Sequence, residues 1–286
     1  MRVGIIGATG VIGRRLVPLL ASDDHSVVSI VRPGREDPAC ESRQADILDF
    51  PSLEVAFAGL DAVINLATSI PNGRGGGDWA QNDRIRIKGT ENVLRAIRSI
   101  GGSCRWVQQS VAMLHQGKSL ADEDCEVTGQ GVLTSAILME AMVQGSGLDW
   151  ALVRGGALYG PDTTRDVAFF QRIARGELRR PVEAADRWIS FVHADDLAGA
   201  FRCALNAGGG RAYIAADDVP TTYARLFSAF EQAPSVAEGS ILHPLPSFRV
   251  SNARLRGCGW IPRVSSIYEW EATRPRACQY ADAASA

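Results

Sequence analysis

Three glycines near the start of the chain have the spacing of a loop that binds phosphate. The segment 7–13, GATGVIG, follows a short apolar run and opens a stretch with helical apolar spacing. In such a loop Gly7 permits a tight turn, Gly10 lets the backbone approach a pyrophosphate, and Gly13 allows close packing of helix on strand. The helix N-terminus offers free N–H groups to the phosphates. The sequence therefore predicts a dinucleotide site formed by Gly7, Thr9, Gly10, Val11, Ile12 and Gly13.

Two arginines at the end of the second predicted strand indicate which dinucleotide this loop binds. An acidic residue at that point binds the 2′-hydroxyl of a ribose, whereas an arginine accommodates a 2′-phosphate. The sequence has Arg32 and Arg35 there, and the fork of a guanidinium suits a phosphate. The arginines favour NADP(H) over NAD(H). The alternative is that both side chains simply face solvent.

The overall composition argues against several other classes of function. The formal net charge is −2 with both signs interspersed, which disfavours a nucleic-acid-binding surface. No apolar run reaches the roughly 18 to 20 residues that a membrane span needs. The six cysteines show neither a CxxC pair nor metal-ligand spacing, so we expect free thiols, no metal site and a cytoplasmic protein. Only two of the 30 basic residues, Lys88 and Lys118, are lysines, and the first of five tyrosines is Tyr159.

The elements that must position these residues alternate between strands and helices. The sequence predicts strands at 2–6, 27–31, 62–66, 105–108 and 150–153, and helices at 9–20, 52–58, 85–99 and 133–144. This alternation indicates an α/β fold with a Rossmann-type, doubly wound parallel sheet that is covered by helices on both faces.

The regular alternation ends after Arg154, where glycines, prolines and polar residues interrupt it. We expect residues 1–154 to form the dinucleotide-binding core, with returns to it near 189–205. Residues 155–188 and 206–272 are expected to form a smaller C-terminal substrate-binding lobe, and residues 273–286 a flexible tail. Within this half the patterns predict helices at 167–175, 195–205 and 221–230 and strands at 189–193 and 212–215.

Seven segments in a fixed order resemble the extended, or atypical, short-chain dehydrogenase/reductase family, whose members are NAD(P)-dependent epimerase/dehydratase-like. They are GATGVIG (7–13), ADILD (45–49), VINLAT (63–68), KGTENVL (88–94), LVRGGALYGP (152–161), FVHADDLAGAF (191–201) and SNARLRGCGWIP (251–262). The resemblance covers the chain from its start to about residue 270. It implies that Asp46 and Ile47 meet the adenine and that Leu66, Ala67 and Thr68 line the cofactor site.

The catalytic pattern of that family is only partly present. The family uses a serine or threonine after the fifth strand together with a Tyr-x-x-x-Lys pair, in which the tyrosine exchanges a proton with the substrate and the lysine holds the nicotinamide ribose. Ser110 falls on the serine position, and Glu140 falls on a glutamate four residues after the lysine. Val132 and Ala136 then occupy the tyrosine and lysine positions. No Tyr-x-x-x-Lys pair exists in any register of this sequence.

Few residues near Ser110 could replace the missing pair. His115 and Lys118 are the weaker catalytic candidates, and for His115 the expectation is a solvated loop histidine. The acidic run 122–124 is interpreted as solvated surface. The family's asparagine three residues before its Gly-Thr pair is replaced by Arg86. The substrate pocket is expected to be formed by residues 73–79 and 155–162, and its predicted lining residues are Val132, Ala136, Gly155, Ala157 and Leu158.

Three functions remain open at this point. The first is an NADP(H)-dependent, oxidoreductase-like enzyme on a small organic metabolite, which transfers hydride to an already cationic or conjugated acceptor without the usual Tyr/Lys proton relay. The second is a redox-neutral isomerase, dehydratase or cyclase with a structural dinucleotide. The third is a non-enzymatic, NADP(H)-sensing regulatory protein. A fold alone does not separate these. The expected partner is a small molecule, with no nucleic acid or membrane and with a possible homodimer.

Overall fold

The computed structural model describes residues 1–71, 77–232 and 239–272. Its strands are β1 (Arg2–Ile6), β2 (Ser26–Val31), β3 (Glu41–Gln44), β4 (Ala62–Asn65), β5 (Arg105–Val111), β6 (Leu120–Ala121), β7 (Trp150–Gly155), β8 (Ala157–Tyr159), β9 (Leu178–Arg179), β10 (Trp188–Ile189), β11 (Phe191–His193), β12 (Arg211–Ala215), β13 (Thr221–Thr222), β14 (Ser240–Ile241) and β15 (Arg249–Val250).

The helices follow the same order along the chain. They are α1 (Gly13–Ala21), α2 (Phe50–Phe57), α3 (Trp79–Arg84), α4 (Thr90–Ser99), α5 (Thr134–Gln144), α6 (Val167–Ala174), α7 (Ala194–Asn206), α8 (Tyr223–Phe230), α9 (Ala253–Gly257) and α10 (Ile267–Ala272). A π-helical turn, Ile85–Gly89, joins α3 to α4. In the described residues, no helix is both long and apolar enough to cross a membrane.

Seven parallel strands form the central sheet, in the order β12-β7-β5-β4-β1-β2-β3. In this register Ile5 of β1 lies opposite Ser29 of β2 on one side and Ile64 of β4 on the other. The chain runs outward from β1 first to one edge and then, from β4, to the other edge. This confirms the predicted Rossmann-type sheet, and it leaves a crevice at the carboxyl ends of β1 and β4, where ligands of such folds bind.

Apolar residues on both faces of the sheet explain why the strands are nearly continuous apolar runs. On one face, side chains of β1 such as Val3 and Ile5 pack against α1 and α7. On the other face, side chains of β2 and β4 such as Ile30 and Val63 pack against α2, α4 and α5. The two faces hold the strand ends in fixed positions, and those ends carry the loops described below.

The C-terminal half contains a second core, built mainly from aromatic side chains of β8, α6, β11 and α8. One strand predicted for this lobe belongs elsewhere, because β12 pairs in parallel with β7 and forms an edge of the central sheet. Residues 206–272 are therefore divided between sheet and lobe. Within the return predicted near 189–205, α7 packs on the central sheet, whereas β11 pairs with β8 in a separate two-stranded sheet. The tail predicted at 273–286 lies outside the described residues.

Candidate active site

A cavity of about 1770 Å³ opens at the carboxyl ends of the central strands. It lies at the crevice where the strand order reverses, which is the position at which open α/β sheets bind ligands. Its lining includes every residue predicted to bind the dinucleotide except Gly13. These residues are Gly7, Thr9, Gly10, Val11, Ile12, Arg32, Arg35, Asp46, Ile47, Leu66, Ala67 and Thr68.

The backbone of the glycine loop has the shape that a pyrophosphate requires. Gly7 has a φ of +84°, a conformation that disfavours residues with a side chain. A Cβ on Gly13 would lie 2.2 Å from the carbonyl oxygen of Ala8, so only glycine lets α1 begin this close to the loop. No side chain caps α1, and its first turn contains no acidic residue. The N-terminal N–H groups and the positive end of the helix dipole thus fit the phosphates of a dinucleotide.

The end of the cavity beside β2, where the adenosine is predicted to bind, carries two arginines without fixed partners. Arg32 and Arg35 are both exposed, and the amide of Arg35 donates a hydrogen bond of 3.0 Å to the carbonyl of Arg32. Neither guanidinium forms an ion pair with any residue that the structure describes. Nearby, the amide of Leu48 donates to Oδ1 of Asp46 at 2.9 Å, which fixes that carboxylate at the cavity wall.

The loop that carries Ile47 is held by the helix containing the family-like Gly-Thr pair. A Cβ on Gly89 would lie 2.9 Å from the side chain of Ile47, so this glycine allows the helix to approach closely. Nδ2 of Asn92 donates a 3.0 Å hydrogen bond to the carbonyl of Ile47. These two contacts place Ile47 on the cavity wall beside Asp46.

Ser110 lines the cavity, but its hydroxyl proton is directed into the protein. Its Oγ donates to Oε1 of Glu140 at 2.5 Å. The same carboxylate accepts three hydrogen bonds from Arg154, the shortest being 2.6 Å from Nη2. The side chains of Glu140 and Arg154 are only 2% and 3% exposed. Ser110 can therefore accept a hydrogen bond from a ligand, while its own proton is used by Glu140.

The expectation that His115 is a solvated loop residue is wrong. His115 is 2% exposed, because its loop folds back and places Nε2 2.9 Å from Nη1 of Arg154. Burial, reinforced by the charge of Arg154, lowers the pKa of His115 to about 4. The ring is thus neutral at pH 7, with Nε2 as acceptor from the arginine. It does not line the cavity.

Lys118, the other weaker candidate, is exposed and lies outside the cavity lining. In the acidic run 122–124, Asp122 and Asp124 are exposed as expected, but Glu123 is not. Glu123 is buried and accepts a 2.7 Å hydrogen bond from the amide of Ile214, and burial raises its pKa. Its partner lies 91 residues further along the chain, so the local pattern could not indicate it.

The two positions predicted to replace the family's tyrosine and lysine differ in their surroundings. Val132 lines the cavity and is 40% exposed. Ala136 is fully buried beside Leu114 and Leu133 and does not belong to the lining, contrary to the expectation. The reason is that Val132 lies in a 3₁₀ turn, Gly131–Leu133, whereas α5 begins only at Thr134. The two positions therefore do not share one regular helix face.

The remaining predicted pocket residues are at the substrate end of the cavity. Gly155, Ala157 and Leu158 line it, as do Gly77 and Trp79. Residues 73–76, which were also predicted for this wall, lie outside the described residues. Among the described residues, no group of three His, Cys, Asp or Glu side chains could hold a metal ion.

The sequence did not identify Arg154 or the position of Arg86. Arg154 interrupts the apolar run of β7, and a single charge inside a buried strand signals a buried partner. Arg86 lies in the π-helical turn and lines the cavity while only 7% exposed. Its Nη1 donates to the carbonyl of Val132 at 2.9 Å and to Oγ of Ser135 at 3.2 Å. π-Helical turns are frequent at functional sites.

Comparisons with known proteins agree with this geometry. The model of the NAD dependent epimerase/dehydratase family matches residues 3–216. A "3-diazoavenalumate denitrifying reductase" of a Streptomyces species is 31% identical over 294 residues, covering 92% of this chain and 96% of the relative. A UDP-glucose 4-epimerase of Mycolicibacterium smegmatis is 24% identical, covering 93% and 95%. The crystal structure of the Thermus thermophilus UDP-glucose 4-epimerase with NAD has a TM-score of 0.75 at 22% identity, covering 94% of this chain and 96% of that one.

Proposed function

The chain belongs to the NAD dependent epimerase/dehydratase family, and from that premise we propose that it is an NADP(H)-dependent reductase of a small organic molecule that accepts hydride without being protonated. The observation that carries the proposal is the apolar side chain of Val132 on the cavity wall. The resemblance puts Val132 at the position of the family's tyrosine, and an isopropyl group cannot give or take a proton.

Ser110 and His115, two of the replacements that the sequence offered, do not supply that proton. The proton of Ser110 goes to Glu140, and the neutral ring of His115 faces Arg154 away from the cavity. Reduction of a simple ketone or aldehyde needs a proton for the developing alkoxide, from a group within about 2.6 to 3.2 Å. A substrate that is already cationic needs no such proton when it accepts hydride, so it fits this wall better.

The cavity supports the cofactor part of the proposal. The loop of Gly7, Gly10 and Gly13 would hold the pyrophosphate, and Asp46 and Ile47 the adenine. Arg32 and Arg35 would hold a 2′-phosphate, because both are exposed at the correct end of the cavity and neither is engaged in an ion pair in the described part of the chain. Bound in this way, the nicotinamide supplies a hydride, that is, two electrons and one proton.

The name of the Streptomyces relative supports a particular class of acceptor. That protein is named as a reductase that removes nitrogen from a diazo compound. When a diazonium ion R–N₂⁺ accepts a hydride, a C–H bond forms, the C–N bond breaks and N₂ leaves with the bonding electrons. Charge and atoms balance without any proton, which matches a wall with Val132 in place of the family's proton donor. An iminium ion likewise accepts hydride without an added proton, since its nitrogen is already protonated or alkylated.

The same wall disfavours the redox-neutral alternative. Oxidation of a hydroxyl group, the first half of an epimerisation at an alcohol carbon, requires a base for the hydroxyl proton. Val132 cannot act as that base, although several relatives are named epimerases. The sensing alternative differs from both in predicting no turnover.

The test is hydride transfer from stereospecifically 4-deuterated NADPH to a panel of three acceptors, with reactions lacking protein as controls. The panel contains a benzenediazonium salt, a cyclic iminium ion and benzaldehyde. We expect protein-dependent transfer from only one face of NADPH to the diazonium or iminium acceptor and little to benzaldehyde. A faster reaction with benzaldehyde would refute the proposal. Turnover without consumption of NADPH would indicate redox-neutral chemistry, and binding without any turnover would indicate a sensor.

A further inference from the structure

We propose that Arg86 binds a carboxylate group of the substrate. The inference deepens the proposed function, because it assigns an anionic group to the molecule that is reduced. It rests on that function only in calling the bound anion a substrate, since the binding site itself can be tested without turnover.

The guanidinium of Arg86 has donors left over after its protein contacts. Its two hydrogen bonds to described residues, to the carbonyl of Val132 and to Oγ of Ser135, both come from Nη1. Nε and Nη2 donate to no acceptor in the described part of the chain, and neither is sealed inside the protein as an orphaned atom. Since the side chain is 93% buried and its accessible part lies on the cavity wall, these donors are available to a ligand. A carboxylate accepts two parallel bonds from such a fork.

The charge of Arg86 is also only partly compensated. No carboxylate of the described residues lies within ion-pair distance of it, and the nearest acidic influence, Asp83, accepts a 2.6 Å hydrogen bond from Ser135. Burial lowers the pKa of Arg86, because the charged form loses hydration free energy when it is held away from water. A buried charge without a counter-ion is expensive and is found where a bound ligand supplies the partner.

The cofactor does not supply that partner. The predicted phosphate contacts lie at the glycine loop and at Arg32, whereas Arg86 contacts Val132 at the substrate wall. Two acidic residues line the cavity in the described part of the chain, Asp46 at the adenine end and Asp162. Asp162 is 3.5 Å from Arg14 and 3.6 Å from Arg15. The substrate half therefore has a positive potential, which attracts an anion.

A carboxylate fits better than a phosphate ester. Because Asp83 lies behind Arg86, the guanidinium offers a ligand less than one full positive charge. That charge can balance a monoanion but not a dianion. The surrounding cavity wall is apolar, with side chains of Trp79, Leu133 and Ile137. The expected ligand is a flat or apolar carboxylate, whose hydrocarbon part packs on this wall while its anionic end meets Arg86.

The test compares two probes of the same shape, trans-cinnamate and its neutral amide, trans-cinnamamide, by calorimetric titration of the NADP⁺-loaded protein. We expect cinnamate to bind at least tenfold more tightly than cinnamamide. In Arg86→Gln the ratio should fall to within twofold, through loss of cinnamate affinity with cinnamamide affinity retained. The matched control is Arg84→Gln, since Arg84 is an exposed arginine two residues away, and it should keep the wild-type ratio.

Arg86→Lys covers the case in which Arg86→Gln does not fold. An ammonium keeps the charge but lacks the bidentate fork, so a preference for cinnamate should persist at a reduced level of a few-fold. Equal affinities of the two probes for the wild-type protein, or an equal loss of both in Arg86→Gln, would overturn the inference and leave Arg86 a support of the Val132 turn. Tighter binding of phenyl phosphate than of cinnamate would overturn the carboxylate assignment.

The outcomes separate this inference from the proposed function. If the hydride panel shows no transfer while cinnamate binding depends on Arg86, the reductase proposal fails and the anion site remains. If hydride transfer occurs while the two probes bind alike, the reductase proposal stands and the role of Arg86 fails.

Discussion

The substitution Glu140→Gln removes the negative charge from a buried ion pair while nearly preserving the volume of the side chain. Glu140 accepts three hydrogen bonds from Arg154 and one from Ser110, and both members of the pair are at most 3% exposed. The variant leaves the guanidinium of Arg154 buried against a neutral amide. Removing one partner of such a pair costs about 3 to 5 kcal/mol of unfolding free energy. For a chain of this size, the melting temperature should fall by roughly 6 °C or more.

Urea denaturation at pH 7 measures this loss, and Glu91→Gln provides the matched control. Glu91 pairs with Lys88 at 3.1 Å, but the two side chains are 45% and 52% exposed. The same chemical change should there cost at most about 1 kcal/mol. A double variant, Glu140→Leu with Arg154→Met, should be more stable than Glu140→Gln, because no uncompensated charge remains. If Glu140→Gln and Glu91→Gln lowered the stability equally, the reasoning from burial would be refuted.

Three further predictions concern the cofactor, the pH dependence and the site. Arg32→Ala should weaken NADP⁺ binding at least tenfold and NAD⁺ binding less than twofold in calorimetric titrations; an equal loss for both would contradict the 2′-phosphate assignment. Burial raises the pKa of Asp217 from 3.8 to about 8. Between these two values the folded state holds a proton that the unfolded state has released. The stability that Asp217 contributes at low pH is therefore lost as the pH rises through about 8. Asp217→Asn should therefore gain stability relative to wild type between pH 5 and pH 8.5 in urea denaturation, and an unchanged difference would disprove the shift. Ser110→Ala should lower turnover with the diazonium or iminium acceptor at least tenfold in assays of NADPH consumption. An unchanged rate would show that Ser110 does not belong to the site.

The sequence predicts the central sheet well because burial of both faces gives its strands continuous apolar runs. β1 begins and ends at the predicted residues, and β2 and β4 do so within one residue at each end. β3 was not predicted. Its residues, ESRQ, form an edge strand that pairs only with β2, and none of them is buried, so the strand needs no apolar side chain. Only the pairing itself identifies it as a strand.

The candidate site was predictable where it is local in the chain. The glycine loop combines its turn, its close helix contact and its helix N-terminus within seven residues, and the residue types alone predict all three. His115 and Glu123 were misjudged because their surroundings are set by partners 39 and 91 residues away. Arg86 was noticed as a departure from a pattern, but its orientation depends on the π-helical turn, which the apolar spacing of 85–99 does not reveal.

The π-helical turn Ile85–Gly89 has a consequence for how this pocket can change through insertions and deletions. Such a turn holds one residue more than a regular α-helix of the same span, and each residue of an α-helix corresponds to a rotation of about 100°. Loss of a single codon within the turn would restore a continuous helix and swing α3 and Arg86 around its axis, while the core face of α4, with Val93 and Ala96, would stay in place. A one-residue length change could thus exchange the group presented to the ligand without rebuilding the sheet.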